Sequence, residues 1–182
     1  IHIMKFCHLN DLSENGYELS QREERDGKRV YITPNGNVYP SITSILGSQP
    51  KPGIEVWRRK VGEDEANRIV KDSSKLGTAV HDLCEQYLYN LPLKCNNPEA
   101  VEVFNRLRFR LKNINNIYGL EIPLHSDMLR VAGTADCIAE YNGVLSLIDF
   151  KTSRRAKKED WIEDYYIQTM FYVAAFYEMV GA

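Results

Sequence analysis

No stretch of the chain approaches the roughly 20 consecutive apolar residues that a membrane-spanning helix needs, and no signal peptide is visible. Those absences leave a soluble globular protein, with no membrane partner, as the expectation. Cysteine is sparse. Cys7, Cys84, Cys95 and Cys137 are scattered, with no C-x-x-C pair, so they read as reduced thiols in a cytosolic protein rather than as a zinc or disulfide framework. A large excess of positive charge is missing too. The net charge of -2 does not advertise a nucleic-acid binder, although basic residues do cluster locally. What remains is ordinary. With 43% hydrophobic and 26% charged residues in 182, one domain can build a core without staples. Ile1-His2-Ile3 ahead of Met4 reads as an added remnant, with Met4 expected as the native start.

The chemistry concentrates between Gly133 and Lys151. Gly133-Thr134-Ala135-Asp136 and Ile148-Asp149-Phe150-Lys151 flank Asn142-Gly143, the strongest short-range hairpin signal a sequence offers. Two antiparallel strands are predicted, each carrying one acid. Alternation along a strand sets Asp149 and Lys151 on one side, with Ile148 and Phe150 turned into the core. Two carboxylates with a lysine beside them are the parts of a hard-cation site for Mg2+ or Mn2+. The same residues also fit an exposed ion pair worth almost nothing, and spacing alone does not choose between the two.

Further elements follow in order. Arg29–Thr33 and Val38-Tyr39 flank the turn residues Pro34 to Asn37, which predicts a hairpin. Ser41 is a candidate N-cap for the segment with Thr43 and Ser44, and hydroxyls at a helix start can hold a phosphate; a capped helix and nothing more is the alternative. A helical period over 54–71 carries Trp57, Arg58, Arg59 and Lys60, charges that normally form a solvated face. A second helix is predicted from Gly77 to Tyr89, with Val80, Leu83, Cys84, Tyr87 and Leu88 as its stripe. His81 and Glu85 stand one turn apart on it. Asn97-Pro98 caps a helix over 98–118 with Val101, Phe104, Leu107, Leu111 and Ile114 facing the core. Strands are predicted from Glu121, over Met128–Tyr141 and over Val144–Thr152. A basic run (Arg154, Arg155, Lys157, Lys158) and a last helix over about 160–179 complete the chain. Gln168 and Tyr172 share one face of that helix. This order predicts an α+β fold with a mixed central sheet flanked by helices, a single domain in which 4–60 is an extension and 73–182 the core.

Taken together, these residues resemble the PD-(D/E)XK nuclease superfamily, and within it the RecB-like exonuclease branch. The matching pieces are Gly77 to His81 with Glu85, then Glu121, Gly133 to Asp136, Asp149 to Thr152, and Gln168 with Tyr172. Tyr39 to Leu46 and Trp57 resemble the segment ahead of the core in mitochondrial genome maintenance exonucleases and related phage exonucleases. The resemblance implies a restriction-endonuclease-like core in which Asp136 and Asp149 hold Mg2+, Mn2+ substituting, with His81 and the Phe150 carbonyl as further ligands. It implies that Lys151 orients the attacking water and stabilises charge on the phosphorane, and that Gln168 and Tyr172 line the site. Glu85 and Glu121 match family positions without an assigned role.

Three departures stand out. Ala135 replaces the proline of the superfamily's name. The cysteines are misplaced for the iron–sulfur cluster of some relatives, so none is expected. The chain ends at Ala182, where that fold usually adds a strand.

The activity implied is exonucleolytic hydrolysis of single-stranded or flapped DNA ends by a monomer, cytoplasmic with a mitochondrial location as the alternative. Ser41, Thr43, Ser44, Trp57, Arg58, Arg154 and Arg155 are the expected DNA contacts, with Trp57 or Tyr39 as a stacking face. A structure-specific endonuclease on the same core is a close alternative. A nonhydrolytic DNA-binding module is disfavoured because His81, Asp136, Asp149 and Lys151 are all present. A two-carboxylate glycosidase is disfavoured by Lys151 and the basic run.

Overall fold

The computed structural model describes residues 5–153 and 162–181, so the basic run Arg154, Arg155, Lys157 and Lys158 lies outside the described residues. The elements run β1 (Gln21–Arg25), β2 (Lys28–Ile32), β3 (Val38–Pro40), α1 (Ile42–Ser48), α2 (Pro52–Val61), α3 (Glu63–Leu88), α4 (Pro98–Leu111), β4 (Ile114–Ser126), β5 (Val131–Tyr141), β6 (Val144–Ile148) and α5 (Glu163–Val180). They form two units, one of Ile1–Lys5 with Gln49–Asn113, the other of Phe6–Ser48 with Ile114–Ala182. The class is α+β, and no helix among the described residues is long and apolar enough to cross a membrane.

The first unit is helical. Pro52 opens α2, and Gly62 ends it at φ 88 and ψ 149, a conformation that glycine accepts and side chains do not. Glu63, Asp64 and Glu65 then open α3, where acids favour the helix dipole. The break predicted ahead of Gly77 does not occur; it falls at Gly62. The buried stripe Ala66, Leu76, Val80, Leu83, Cys84 and Leu88 runs straight through Gly77. A mid-helix glycine costs about 1 kcal/mol, less than the roughly 1.5–3 kcal/mol from burying one such side chain. Asn97 caps α4, its Oδ1 accepting from the Ala100 N–H at 3.2 Å, and Tyr87 meets Phe104 edge-on with centroids 5.6 Å apart. Helix α4 stops at Leu111, seven residues short of the predicted end, and Ile114 already belongs to β4. β-branched Ile114 and Ile117 suit a strand, and Asn116 takes a left-handed φ of 46 that ends any helical continuation.

The second unit holds two three-stranded sheets, β1-β2-β3 and β4-β5-β6. The predicted Asn142-Gly143 hairpin is present. Tyr141 pairs with Val144, and φ of 52 and 79 at the two turn residues is the mirror-image turn that matches strand twist. Among the described residues all ladder pairs are antiparallel, with parallel pairing at the isolated bridges His8↔Ile117 and Ser41↔Ala132. The sheets are therefore antiparallel rather than mixed as expected, each neighbouring pair being joined by a short turn or hairpin that reverses the chain. Strand β1 escaped prediction because its five residues are all exposed and show no apolar alternation. Strand β5 begins at Val131 rather than Met128, since Glu178 of α5 takes the turn: its carboxylate accepts from Ser126 Oγ (2.6 Å), Asp127 N (2.9 Å) and Met128 N (3.1 Å). Leu12, Ile42, Ile122, Leu124, Ala135, Ile138, Phe171, Tyr172 and Ala175 form the core. A smaller cluster of Tyr31, Tyr39 and Ala132 fastens the N-terminal sheet to β5, where the Tyr31 hydroxyl meets Thr134 Oγ1 at 2.8 Å.

Candidate active site

The register of the β4-β5-β6 sheet builds the site. Leu120 pairs with Cys137 and Ile122 with Ala135, so Glu121 of β4 stands opposite Asp136 of β5. On the other side, β6 ends with Ile148 opposite Cys137, and one step further brings Asp149 opposite Asp136. Three acids therefore form a row across the sheet. The row sits where the backbone departs from regular strand: Glu121 takes a φ of 53, a strained choice for a side-chain-bearing residue, and Asp149 lies just past the end of β6. Asp136 Oδ2 accepts the Phe150 N–H at 2.7 Å, which ties the segment after β6 back to β5. Phe150 is buried, as predicted.

Glu121 and Asp136 offer oxygens within 4.8 Å of each other. Two like charges at that separation repel by about 3–4 kcal/mol at an effective dielectric of 20, a cost that a divalent cation removes. The donors are hard oxygens, the set Mg2+ and Mn2+ prefer. These residues fit such a metal.

Asp149 has protein partners at both oxygens. Its Oδ2 meets Lys151 Nζ at 2.6 Å while the Asp149 side chain is 8% exposed, and its Oδ1 accepts from Gln168 Nε2 at 3.3 Å. The same amide donates to the Tyr172 hydroxyl at 3.0 Å. Gln168 and Tyr172 are both buried on α5, one turn apart. Burial first, then the nearby Asp149 and Asp136 carboxylates, drive the Tyr172 hydroxyl pKa up, so it stays protonated. Gly133 leaves room for that ring: a Cβ there would lie 2.7 Å from Tyr172 Cε1 and 3.0 Å from Ile42 Cγ2. The five predicted catalytic residues thus fall in one unit. Beside them opens a cleft of about 440 Å³ lined by Tyr141, Ile148, Asp149, Lys151, Tyr165 and Tyr166 among others, and Lys151 Nζ lies 5.4 Å from the Tyr165 ring centroid.

The other predicted residues lie on other elements. His81 and Glu85 lie on α3, and Trp57 and Arg58 on α2, in the helical unit; Arg58 is paired with Glu63 and with Asn67. Ser41 caps α1 by accepting the Ser44 N–H at 3.1 Å. Its hydroxyl is buried and bonded to Thr43 Oγ1 (3.0 Å) and Ser44 Oγ (2.8 Å). Thr43 and Ser44 line a polar cleft of about 480 Å³ with Arg22, Lys28 and Arg29. Tyr39 is 7% exposed and its hydroxyl donates to Asp127 at 2.6 Å, so it offers no stacking face. Sequence reasoning gave Glu121 no role. Its signal was positional, since only the sheet register puts it opposite Asp136.

Residues 97–181 match the family model described as the PD-(D/E)XK nuclease superfamily. Among curated proteins, the chain is 29% identical over 154 residues to mitochondrial genome maintenance exonuclease 1 of Mus musculus, covering 74% of this chain and 45% of the relative. The Homo sapiens protein of that name is 28% identical over 132 residues (66% and 38%), and that of Xenopus tropicalis 30% over 134 residues (68% and 38%). The chain spans less than half the length of these relatives.

Proposed function

We propose, starting from a chain whose residues 97–181 match the model of the PD-(D/E)XK nuclease superfamily, that the protein is a Mg2+-dependent DNA exonuclease acting on single-stranded or flapped ends. The observation that carries this is the acid row Glu121, Asp136 and Asp149 with Lys151 paired to Asp149 at 2.6 Å. Asp136, Asp149 and Glu121 would hold the metal, with His81 and the Phe150 carbonyl as further donors carried over from the superfamily resemblance. When bound, the divalent ion supplies Lewis-acid activation of water and neutralises charge on the phosphate.

The chain's own groups do the rest. Asp149 holds the Lys151 ammonium at the site, where it orients the attacking water and meets the negative charge that builds on the phosphorane oxygens. The water oxygen bonds to phosphorus as the P–O bond to the departing sugar oxygen breaks; the water gives up a proton to solvent and the sugar oxygen takes one up to leave as a hydroxyl. Gln168 fixes Asp149 from behind, and protonated Tyr172 holds Gln168. Thr43, Ser44, Trp57, Arg58, Arg154 and Arg155 are retained as contacts to the strand. The reading places the enzyme, as a monomer, in DNA repair or recombination, in the cytoplasm or, as the relatives' name suggests, in mitochondria. Supporting it are the nuclease domain match and the exonuclease name of the relatives.

The test compares end-labelled linear single strands with covalently closed single-stranded circles in Mg2+. Loss of the linear strand with the circle intact is expected. Rapid nicking of the circle by the pure protein contradicts the exonuclease reading and promotes the endonuclease.

A further inference from the structure

We propose that the tyrosine-lined cleft beside Lys151 is a nucleobase pocket in which Tyr166 stacks on the base next to the bond being cut. The proposal rests on the nuclease reading and adds the part of the substrate that the acid row and the lysine do not hold. The cleft measures about 440 Å³ and brings Tyr141, Tyr165 and Tyr166 together with Leu147 and Ile148. Lys151 and Asp149, with the Ser146 and Thr169 hydroxyls, make up the polar part of the lining; the tyrosine, leucine and isoleucine part is ill suited to a bare phosphate, which wants cations and N–H groups. It suits a flat ring with apolar faces, because base–aromatic stacking needs only a π-face and tolerates any base.

Three observations converge on the position. Asp149 and Lys151 belong to the same cleft, and a nucleotide carries its base one sugar away from its phosphate. A base seated among the tyrosines therefore puts the adjoining phosphate at the acid–lysine pair. Lys151 Nζ lies 5.4 Å from the Tyr165 ring centroid, a cation–π distance that ties the aromatic wall to the catalytic ammonium. Tyr166 lines the cleft and is 66% exposed. Large apolar side chains left in water at a cleft mark a binding surface rather than a core.

The test measures KM and kcat on a linear single-stranded oligonucleotide for the wild type, Tyr166→Ala and Tyr166→Phe. The same measurements are made on strands with one abasic residue placed at each terminal position in turn. Tyr166→Ala should raise KM by about 5- to 150-fold, the range that removing a stacked ring brings, while Tyr166→Phe stays within about two-fold because the π-face is kept. At one abasic position the wild type should fall to the level of Tyr166→Ala, and the mutation should add nothing further, the mark of two partners in one interaction. A normal KM for Tyr166→Ala, or abasic and mutational effects that simply add at every position, overturns the pocket while leaving the nuclease reading intact. A wild type that cuts no strand in any divalent metal overturns both. Tyr166 is exposed, so its replacement leaves the fold in place, and an unchanged thermal transition verifies that.

Discussion

Asp136 serves two purposes that one substitution can separate. In the proposed site its carboxylate charge would serve the metal, and its Oδ2 receives the Phe150 N–H at 2.7 Å. Asp136→Asn keeps an acceptor oxygen and drops the charge. Nuclease activity should fall by roughly three decades or more, with the urea midpoint close to the wild type. Asp136→Ala should lose the same activity and also about 1–3 kcal/mol of stability, because it strands the Phe150 N–H. An active Asp136→Asn protein contradicts the site.

Gly133 makes a second case. An added Cβ would sit 2.7 Å from the Tyr172 ring, too close to stand, so Gly133→Ala must displace the ring. The displaced hydroxyl would release Gln168 from its 3.0 Å bond and loosen Asp149. Activity should drop about tenfold to a hundredfold, as displaced positioning groups do, and the metal titration should shift to higher concentration, because Asp149 is a proposed ligand. Wild-type activity in Gly133→Ala would show that the Tyr172–Gln168 contact does not position Asp149. At this scale the sequence was informative where chemistry is local. As their spacing implied, the hairpin sets Asp136 on β5 and Asp149 just past β6 with Lys151 beside Asp149, and Gln168 stands one turn from Tyr172. The place of Gln168 at Asp149 was implied by the family resemblance instead. Glu121 was not legible in the same way. Its place opposite Asp136 depends on register shifts in β4 between Asn115 and Gly119, which no residue pattern announces.

Elements were legible in proportion to how far local signals agreed with packing. Asn142-Gly143, Asn97-Pro98 and the Ser41 cap each act within a few residues, and each stands as read. Gly77 misled because tertiary burial on both sides outweighs its propensity cost. The stretch from Ile114 to Tyr118 fits helix or strand by its apolar residues alone, and pairing with β5 decides for strand. The extent of β5 was set by a residue far away in sequence, Glu178, whose carboxylate receives three donors from the β4–β5 turn. Glu178→Ala should therefore destabilise the protein by about 1–3 kcal/mol, with Ser126, 1% exposed, losing its acceptor. Chemical denaturation measures this. A change under about 0.5 kcal/mol, the range of an ordinary surface substitution, would mean that water replaces the carboxylate.

Across the whole molecule, alkaline pH probes the sheet that carries the acids. Burial, and then the neighbouring Asp136 charge, push the Cys137 thiol from 9.0 to about 12. A pKa raised in the folded state means that the unfolded chain loses its proton first. Stability is therefore complete below pH 9 and declines as pH climbs from 9 toward 12, by up to about 1.4 kcal/mol per pH unit from this one group. Tyr172 is raised from 10.0 in the same direction and adds to the decline only above pH 10. Between pH 9 and 10 the urea midpoint of Cys137→Ala should fall less steeply than that of the wild type. Equal slopes would show that the thiol titrates normally.

The claim on which the rest depends is that the acid row and Lys151 hydrolyse a DNA strand. The measurement that tests it most directly is single-turnover cleavage of an end-labelled single strand in Mg2+ by wild type and Lys151→Ala, with strand binding recorded in parallel. A group that acts on charge developing in the transition state affects turnover and leaves ground-state binding alone. The account predicts that Lys151→Ala binds the strand within a few-fold of the wild type and leaves it uncut over the same time course. Lys151→Arg should not restore cleavage, because a planar fork does not replace a compact ammonium held at 2.6 Å from Asp149. Cleavage by Lys151→Ala at the wild-type rate would contradict the account, and equal losses of binding and cleavage would reduce Lys151 to a phosphate anchor.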